Sequence, residues 1–468
     1  MTTKLTLLFL SALIAGSGAA AQATPPNAQL WLTTVNRSAL LALQDTQIPF
    51  TETATSERTI EVNDMEQYQS MEGFGVALTG GSAELLTRMT PARRSALLNE
   101  LFAPQGDGIH ITYLRVSIGS SDMNDHPYTY DDLPAGETDP GLEKFSLNID
   151  RASVIPMLRE ILAINPHIMI LGSPWSAPAW MKTNDNLKGG HLKPEYYGAY
   201  ARYFVKYIEG MKAAGIDISA VTVQNEPLNP KNTPSMAMFA SEEDAFIAND
   251  LGPAFAHAGI HTGIQVYDHN PDVPSYPLSI LADPKASPWV EGTAFHLYGG
   301  SADTFTMVHD RYPRKDLFMT EQSVTQSPNS SSLNIAEPVD DVLIGATRNW
   351  SRNVLLWNLA ADENAGPHTG DGGCGFCWGA LTLEGDQVTR NVAYYALAHF
   401  SKFVPPGSLR IGSNDLEQLD NAAFLTPQGK IVLVVSNTGN FPSNFAIRYH
   451  GKIALTSLPA ESVGTYVW

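Results

Sequence analysis

Ala220-Val221-Thr222-Val223-Gln224-Asn225-Glu226-Pro227 decides how the rest of the chain is read. Val221 and Val223 are β-branched and suit a buried pleated element. Pro227 has no N–H to give to a ladder, so a strand ends there. The stretch predicts a buried strand with Asn225 and Glu226 at its carboxyl end. A second run of the same form lies downstream, Asp316-Leu317-Phe318-Met319-Thr320-Glu321. It too is a short apolar strand closing on a glutamate.

Working outward, strand-like runs recur at regular intervals. They end at Glu72–Thr79, Tyr113–Gly119 and Ile168–Trp175 before the opening stretch. After it come Gly263–Asp268, Thr293–Tyr298, the run ending on Glu321, and Asn353–Asn358. Helical patterns separate them. They run from Ser82 to Leu101, with a second start at Pro91, and from Ala152 to Ile164. From Pro194 onward Tyr197, Tyr200, Ala201, Phe204, Ile208 and Met211 fall on one face. Ser241-Glu242-Glu243 opens another helix as a cap-like start. Eight strands alternating with helices predict an α/β fold, a closed (β/α)8 TIM barrel whose functional groups sit at the carboxyl ends of the strands.

The flanks differ. Gln29–Val35 and Arg58–Val62 are strand-like pieces that cannot close a sheet alone. The tail after Leu409 reads as strands at Lys430–Asn437, Phe445–Tyr449 and Val463–Trp468. The predicted organisation is a leader over 1–23, N-terminal strands over 24–65, the barrel over 66–404 and an all-β sandwich over 405–468 that takes in both chain ends. Lys4, the apolar Leu5–Ile14 and the A-x-A choices around Ala19–Ala23 have the form of a secretory signal. They predict a secreted or periplasmic protein. No later run is long and apolar enough for an integral membrane segment.

Composition narrows the function classes. With 43% hydrophobic and 16% charged residues the chain is of ordinary globular type, and its formal net charge is −19. That charge argues against a nucleic-acid partner and against docking on anionic membranes. The two cysteines, Cys374 and Cys377, stand three apart. In an exported chain a local disulfide is the first reading, with a redox pair or half of a zinc site as alternatives.

Glu226 and Glu321 at two strand mouths are the residue types that retaining glycoside hydrolysis needs. One carboxyl protonates the leaving oxygen and the other attacks the anomeric carbon, across about 5–5.5 Å. Asn225 is placed to bond a sugar 2-hydroxyl. Trp175, Trp180, Tyr298 and Trp357 fall at the same rim, where flat rings suit the apolar faces of a pyranose. Asp122 follows the second strand and is placed to accept sugar hydroxyls. Arg115 lies inside that strand and needs a carboxylate partner, for which Glu321 is the candidate. His269 and His296 lie near strand ends. Other chemistries fit less well. His257 and His261 have i, i+4 spacing but lack the Glu of H-E-x-x-H, and Gly259 weakens a helix there. Gly172-Ser173-Pro174 is not a nucleophile elbow. The rival classes are a non-catalytic carbohydrate-binding protein and a metal-dependent hydrolase.

The chain resembles glycoside hydrolase family 30, the family of acid glucosylceramidases and β-1,6-glucanases. The resemblance rests on Glu72-Gly73-Phe74-Gly75, on Ser173-Pro174-Trp175-Ser176-Ala177-Pro178-Ala179-Trp180-Met181-Lys182-Thr183-Asn184, on Gln224–Pro227, and on His296-Leu297-Tyr298, Thr320-Glu321 and Trp357-Asn358. It implies a barrel with a side β-sandwich, Glu226 as acid/base and Glu321 as nucleophile. It implies a site for glucose lined by Asp122, Trp175, Asn225, Tyr298 and Trp357, supported by Arg115, His296 and Asn358. No cofactor or metal is implied. The expected activity is hydrolysis of β-glucosides of the glucosylceramidase or β-glucosidase type, with endo-β-1,6-glucanase as the alternative. The loop holding Cys374 and Cys377 looks more like the microbial glucanases. The expected partner is a glycolipid or glucan substrate.

Overall fold

The computed structural model describes residues 27–468; the leader expected over 1–23 lies outside them. Eight parallel strands close into a barrel, in chain order around the ring. They are β1 (Gly73–Ala77), β2 (Tyr113–Ser117), β3 (Met169–Ser173), β4 (Ala220–Thr222), β5 (Gly263–His269), β6 (Val290–His296), β7 (Asp316–Glu321) and β8 (Ser351–Leu356). All eight are the strands expected from the sequence.

The pleat sorts their side chains into two cores. Leu114, Val116, Ile170 and Val221 face the helices and join the main core. Tyr113, Leu171, Ala220 and Leu355 form a separate cluster inside the barrel. Two residues further along the same inward-facing rows come Arg115, Ser173 and Thr222, all buried. The barrel interior is therefore apolar at its base and polar toward the carboxyl ends of the strands, as the period of two requires.

β4 is shorter than the expected strand. The ladder stops at Thr222, because Asn225 N–H bonds Pro174 O at 2.8 Å and Glu226 N–H bonds Asp268 O at 3.0 Å. Glu226 itself sits at φ 44°. Pro227 lies beyond this break and does not cause it.

The helix from Tyr197 to Ala213 buries a wider face than its periodicity predicts, adding Ala199, Tyr203 and Tyr207. The long segment after β2 covers that flank, with Tyr130 stacked on Tyr207 at 5.8 Å. The next helix begins at Ala240, and its end is closed by Glu242 reaching back to Phe239 N–H at 2.6 Å, not by Ser241. His257 lies in the last turn of Gly252–Ala258, and Gly259 at φ 66° ends that helix before exposed His261, so the two imidazoles share no helical face.

Both flanks meet in one nine-stranded sheet. Its order is Lys452–Leu458, Ser443–Tyr449, Thr59–Ser70, Leu409–Ser413, Leu419–Leu425, Ile431–Asn437, Ser462–Val467, Gln29–Thr34, Ala42–Leu43. Its own core holds Leu30, Ile60, Leu433, Phe445 and Tyr466. Helix Val392–Ser401, buried along its whole length, lies between this sheet and the barrel.

Candidate active site

Arg115 is the hub of the polar layer. It is fully buried, and its guanidinium meets Glu321 Oε2 at 2.5 Å, Asp268 Oδ2 at 2.7 Å and Asn225 Oδ1 at 2.7 Å. The expected Arg115–Glu321 pair is present, but Asp268 is a second partner. Asp268 also accepts from Thr222 Oγ1 at 2.8 Å and Ser173 Oγ at 3.1 Å on one oxygen, and from Thr320 Oγ1 at 2.6 Å and His296 Nε2 at 3.0 Å on the other. Burial alone would raise the Asp268 carboxyl. Arg115, His296 and these donors outweigh it and hold the group far below the usual carboxylate range.

His296 lies between carboxylates. Its Nδ1 is 3.3 Å from Glu226 Oε1 and 3.7 Å from Glu321 Oε1. Burial opposes its charge, but Glu321 and Asp268 outweigh burial and hold it up at about 9. The ring is therefore an imidazolium at neutral pH, donating from both nitrogens.

The two glutamates come together. Ligand atoms of Glu226, His296 and Glu321 all lie within 4.8 Å of one another. The trio has the residue types of a cation site, and a cation there would have to displace the proton of His296. Glu226 Oε2 accepts from Asn229 Nδ2 at 2.7 Å. Burial would raise Glu226, yet the His296 bond and charge, with His269 and Asn229, bring it down to about 2. Glu321 Oε1 accepts from Tyr298 Oη at 2.9 Å. Burial raises Glu321, opposed by His296 and Arg115 and aided by the charges of Glu226 and Asp268. Asp122 is pushed up to about 8, first by burial and then by Glu321 and Glu226.

These groups face a cavity of about 670 Å³ at the carboxyl mouth of the barrel. Asp122, Trp175, Glu226, Tyr298, Glu321 and Trp357 line it, together with Asn229, Asn232, His269, Asn270 and Gln322. Trp175 and Trp357 are buried in its floor with ring centroids 5.4 Å apart. Arg115 stacks 4.8 Å from the Trp175 ring. Of the expected residues, Asn225 and His296 lie just behind this lining. Trp180 is buried elsewhere, donating Nε1–H to Asp131 O at 3.1 Å. Asn358 is buried outside the lining, and neither of its side-chain polar atoms has a hydrogen-bond partner. Cys374 and Cys377 form a disulfide at the rim, the first of the readings the sequence offers.

The sequence reading passed over Asp268. Its signal was an aspartate at the end of β5, the position that carries Glu in β7. It was hidden by the turn of the chain there: Tyr267 and Asp268 stand at φ 77° and 51°, and the register with β6 shifts between Tyr267 and His269.

Comparison with known proteins agrees with this geometry. Residues 71–404 match the glycosyl hydrolase family 30 TIM-barrel domain, and residues 407–466 the glycosyl hydrolase family 30 beta sandwich domain. An endo-1,6-beta-D-glucanase of Trichoderma harzianum is 36% identical over 425 residues, covering 85% of this chain and 84% of the relative. The lysosomal acid glucosylceramidase of Mus musculus is 28% identical over 440 residues, covering 86% and 82%. Among solved structures, the endo-beta1,6-glucanase BT3312 superposes with a TM-score of 0.86 at 35% identity, over 94% of this chain and 99% of that one. The sequence expectation placed the glucosylceramidase type first, and the relatives reverse that order. With its barrel, its sandwich and its paired strand-end glutamates, the chain belongs to glycosyl hydrolase family 30.

Proposed function

We propose that this glycoside hydrolase cleaves β-1,6-linked glucan by double displacement, with Glu321 as nucleophile and Glu226 as acid/base. The observation that carries the chemistry is the approach of the two carboxyl groups to within 4.8 Å across one cavity. Retention needs about 5–5.5 Å, whereas inversion needs about 6.5–9.5 Å to admit a water. The linkage rests on the identity to endo-1,6-glucanases, higher than that to the glucosylceramidase.

Glu321 carboxylate attacks the anomeric carbon. The bond to the leaving oxygen breaks, and that oxygen takes a proton from Glu226. Water then attacks the glycosyl-enzyme, returning a proton to Glu226 and freeing Glu321. Arg115 and Tyr298 hydrogen-bond Glu321 and hold it aimed. In the free site the proton Glu226 needs is held by His296, 3.3 Å away. A bound sugar expels water and disfavours the charge-separated pair, so the proton moves along this contact to Glu226. Asp122 and Asn225 are placed to bond sugar hydroxyls, and Trp175 and Trp357 to hold the ring. Residues 1–23 are proposed as a secretory leader, consistent with a polymeric substrate outside the cell. Among the described residues no helix is long and apolar enough to cross a membrane.

The test is product analysis on a β-1,6-glucan and on glucosylceramide in parallel. Short β-1,6-linked oligosaccharides are expected from the glucan. Ceramide and glucose instead would move the substrate to the glycolipid, and turnover of neither would end the proposal. Glu321→Gln should lower turnover by about 10³-fold or more. Glu226→Gln, given an activated glucosyl donor, should accumulate protein heavier by one glucosyl unit on Glu321, read by mass spectrometry.

A further inference from the structure

One aromatic ring at the cavity has no part in the chemistry above. Phe376 lines the cavity yet is 62% exposed, while Trp175 and Trp357 in the floor are 2% and 4% exposed. A single exposed apolar side chain is ordinary. This one differs because its backbone is fixed on three sides. The Cys374–Cys377 disulfide closes the loop around it, and that disulfide packs with Trp175 and Trp357. The Phe376 carbonyl accepts from Thr325 Oγ1, in the segment after β7, at 2.8 Å. Nearby, Gly372 runs so close to the loop after β4 that a Cβ there would stand 2.7 Å from Lys231 O. That loop carries Asn229 and Asn232, both bonded to Glu226. The ring is thus positioned relative to both glutamates while its faces stay in water.

A sugar held between Glu226 and Glu321 occupies the buried floor. The unit whose oxygen Glu226 protonates must leave toward the mouth, past Asn229, Asn232 and the loop of Gly372–Cys377. Resting on the glycosidase reading above, we propose that Phe376, pinned by the Cys374–Cys377 disulfide, is the stacking platform for the glucosyl unit on the leaving-group side. A pyranose presents an apolar face of C–H groups that such a ring covers, removing both from water. The site would select a polymeric β-glucan over a glucoside with a small aglycone.

The test compares kcat/KM on β-1,6-glucan with kcat/KM on a β-1,6-linked diglucosyl fluoride, whose leaving group is too small to reach the rim. In Phe376→Ala the ratio of glucan to fluoride should fall about ten-fold, mainly through KM for the glucan. Phe376→Tyr keeps the ring and should hold the ratio within about two-fold of wild type. The paired Cys374→Ser and Cys377→Ser variant frees the loop and should lower the ratio as Phe376→Ala does. An unchanged ratio in Phe376→Ala would remove the platform while leaving the glycosidase reading intact. A lowered ratio there with an unchanged one in the cysteine variant would remove the role of the disulfide. Wild-type protein inert on both substrates would remove the β-1,6-glucanase reading, and the platform with it.

Discussion

Arg115 shows what a single buried charge commits a site to. Its guanidinium has no water and is partnered by two carboxylates, Glu321 and Asp268. Arg115→Met would leave only the His296 imidazolium against these two buried carboxylates, at a cost of about 3–5 kcal/mol. The expected result is a lowered thermal midpoint together with lost turnover, whereas Glu321→Gln should lose turnover and keep its midpoint. The alkaline limb of the rate profile also belongs to this scale. As pH rises through about 8, Asp122 loses its proton and sets a third negative charge beside Glu226 and Glu321. Through about 9, His296 loses the proton it holds against Glu226. Both losses lower activity, so kcat/KM should fall as pH climbs through this range. Asp122→Asn has no proton to lose and should carry the limb upward toward the His296 value, measured as kcat/KM against pH. Glu226 and Glu321 were legible in the sequence because each stands at the end of an apolar strand-like run, although the ladder of β4 itself stops at Thr222. Asp268 was not, because what turns it into the barrel is two left-handed backbone positions and a shift of register, and neither leaves a mark in residue type.

At the scale of the element, the barrel was readable because its strands are buried on both faces and so appear as near-continuous apolar runs. Alternation within each strand then decides which residues reach the polar layer. The close fit between neighbours leaves its own signature in β1. A Cβ on Gly75 would lie 1.6 Å from Tyr113 O in β2, so no side chain fits without moving one strand. Gly75→Ala should destabilise the protein by more than about 2 kcal/mol, read by denaturant unfolding, and should blunt activity by displacing Arg115. The sandwich was harder to read. Leu409–Ser413, Leu419–Leu425 and Lys452–Leu458 were not foreseen as strands. Leu419-Asp420-Asn421-Ala422 carries two turn-prone residues, and Lys452–Leu458 has three residues outside the buried class in its middle. Their strand character comes from the neighbours they pair with, contacts that no local pattern encodes. Thr59–Ser70 likewise continues well past the Val62 where its apolar alternation fades and where its pairing with Ser443–Tyr449 ends, because Leu409–Ser413 pairs with it as far as Ser70.

Across the whole molecule, the seam between barrel and sandwich is closed by His399. Its two ring nitrogens lie 2.8 Å from Thr465 Oγ1 and 2.8 Å from Thr33 Oγ1, one from each end of the chain. Burial drives its pKa down to about 3. The unfolded chain takes up this proton near pH 6.5 and the folded one does not. Stability from this residue is therefore complete above about 6.5 and is lost as pH falls toward 3, by as much as roughly 4 kcal/mol. His399→Gln should unfold with a flatter dependence of thermal midpoint on pH between about 6 and 4 than wild type. The sheet on the far side of this seam has a further consequence. Gln29–Thr34 pairs along its length with Ser462–Val467, so its neighbour is made only after the whole barrel. Until then that strand offers its main-chain donors and acceptors to whatever it meets. Assembly of this protein thus has a built-in waiting step: the barrel can gather as its strands appear, but Gln29–Thr34 keeps an open edge until Ser462–Val467 has arrived. A chaperone that covers Gln29–Thr34 during synthesis should raise the yield of folded enzyme without altering the activity of each folded molecule.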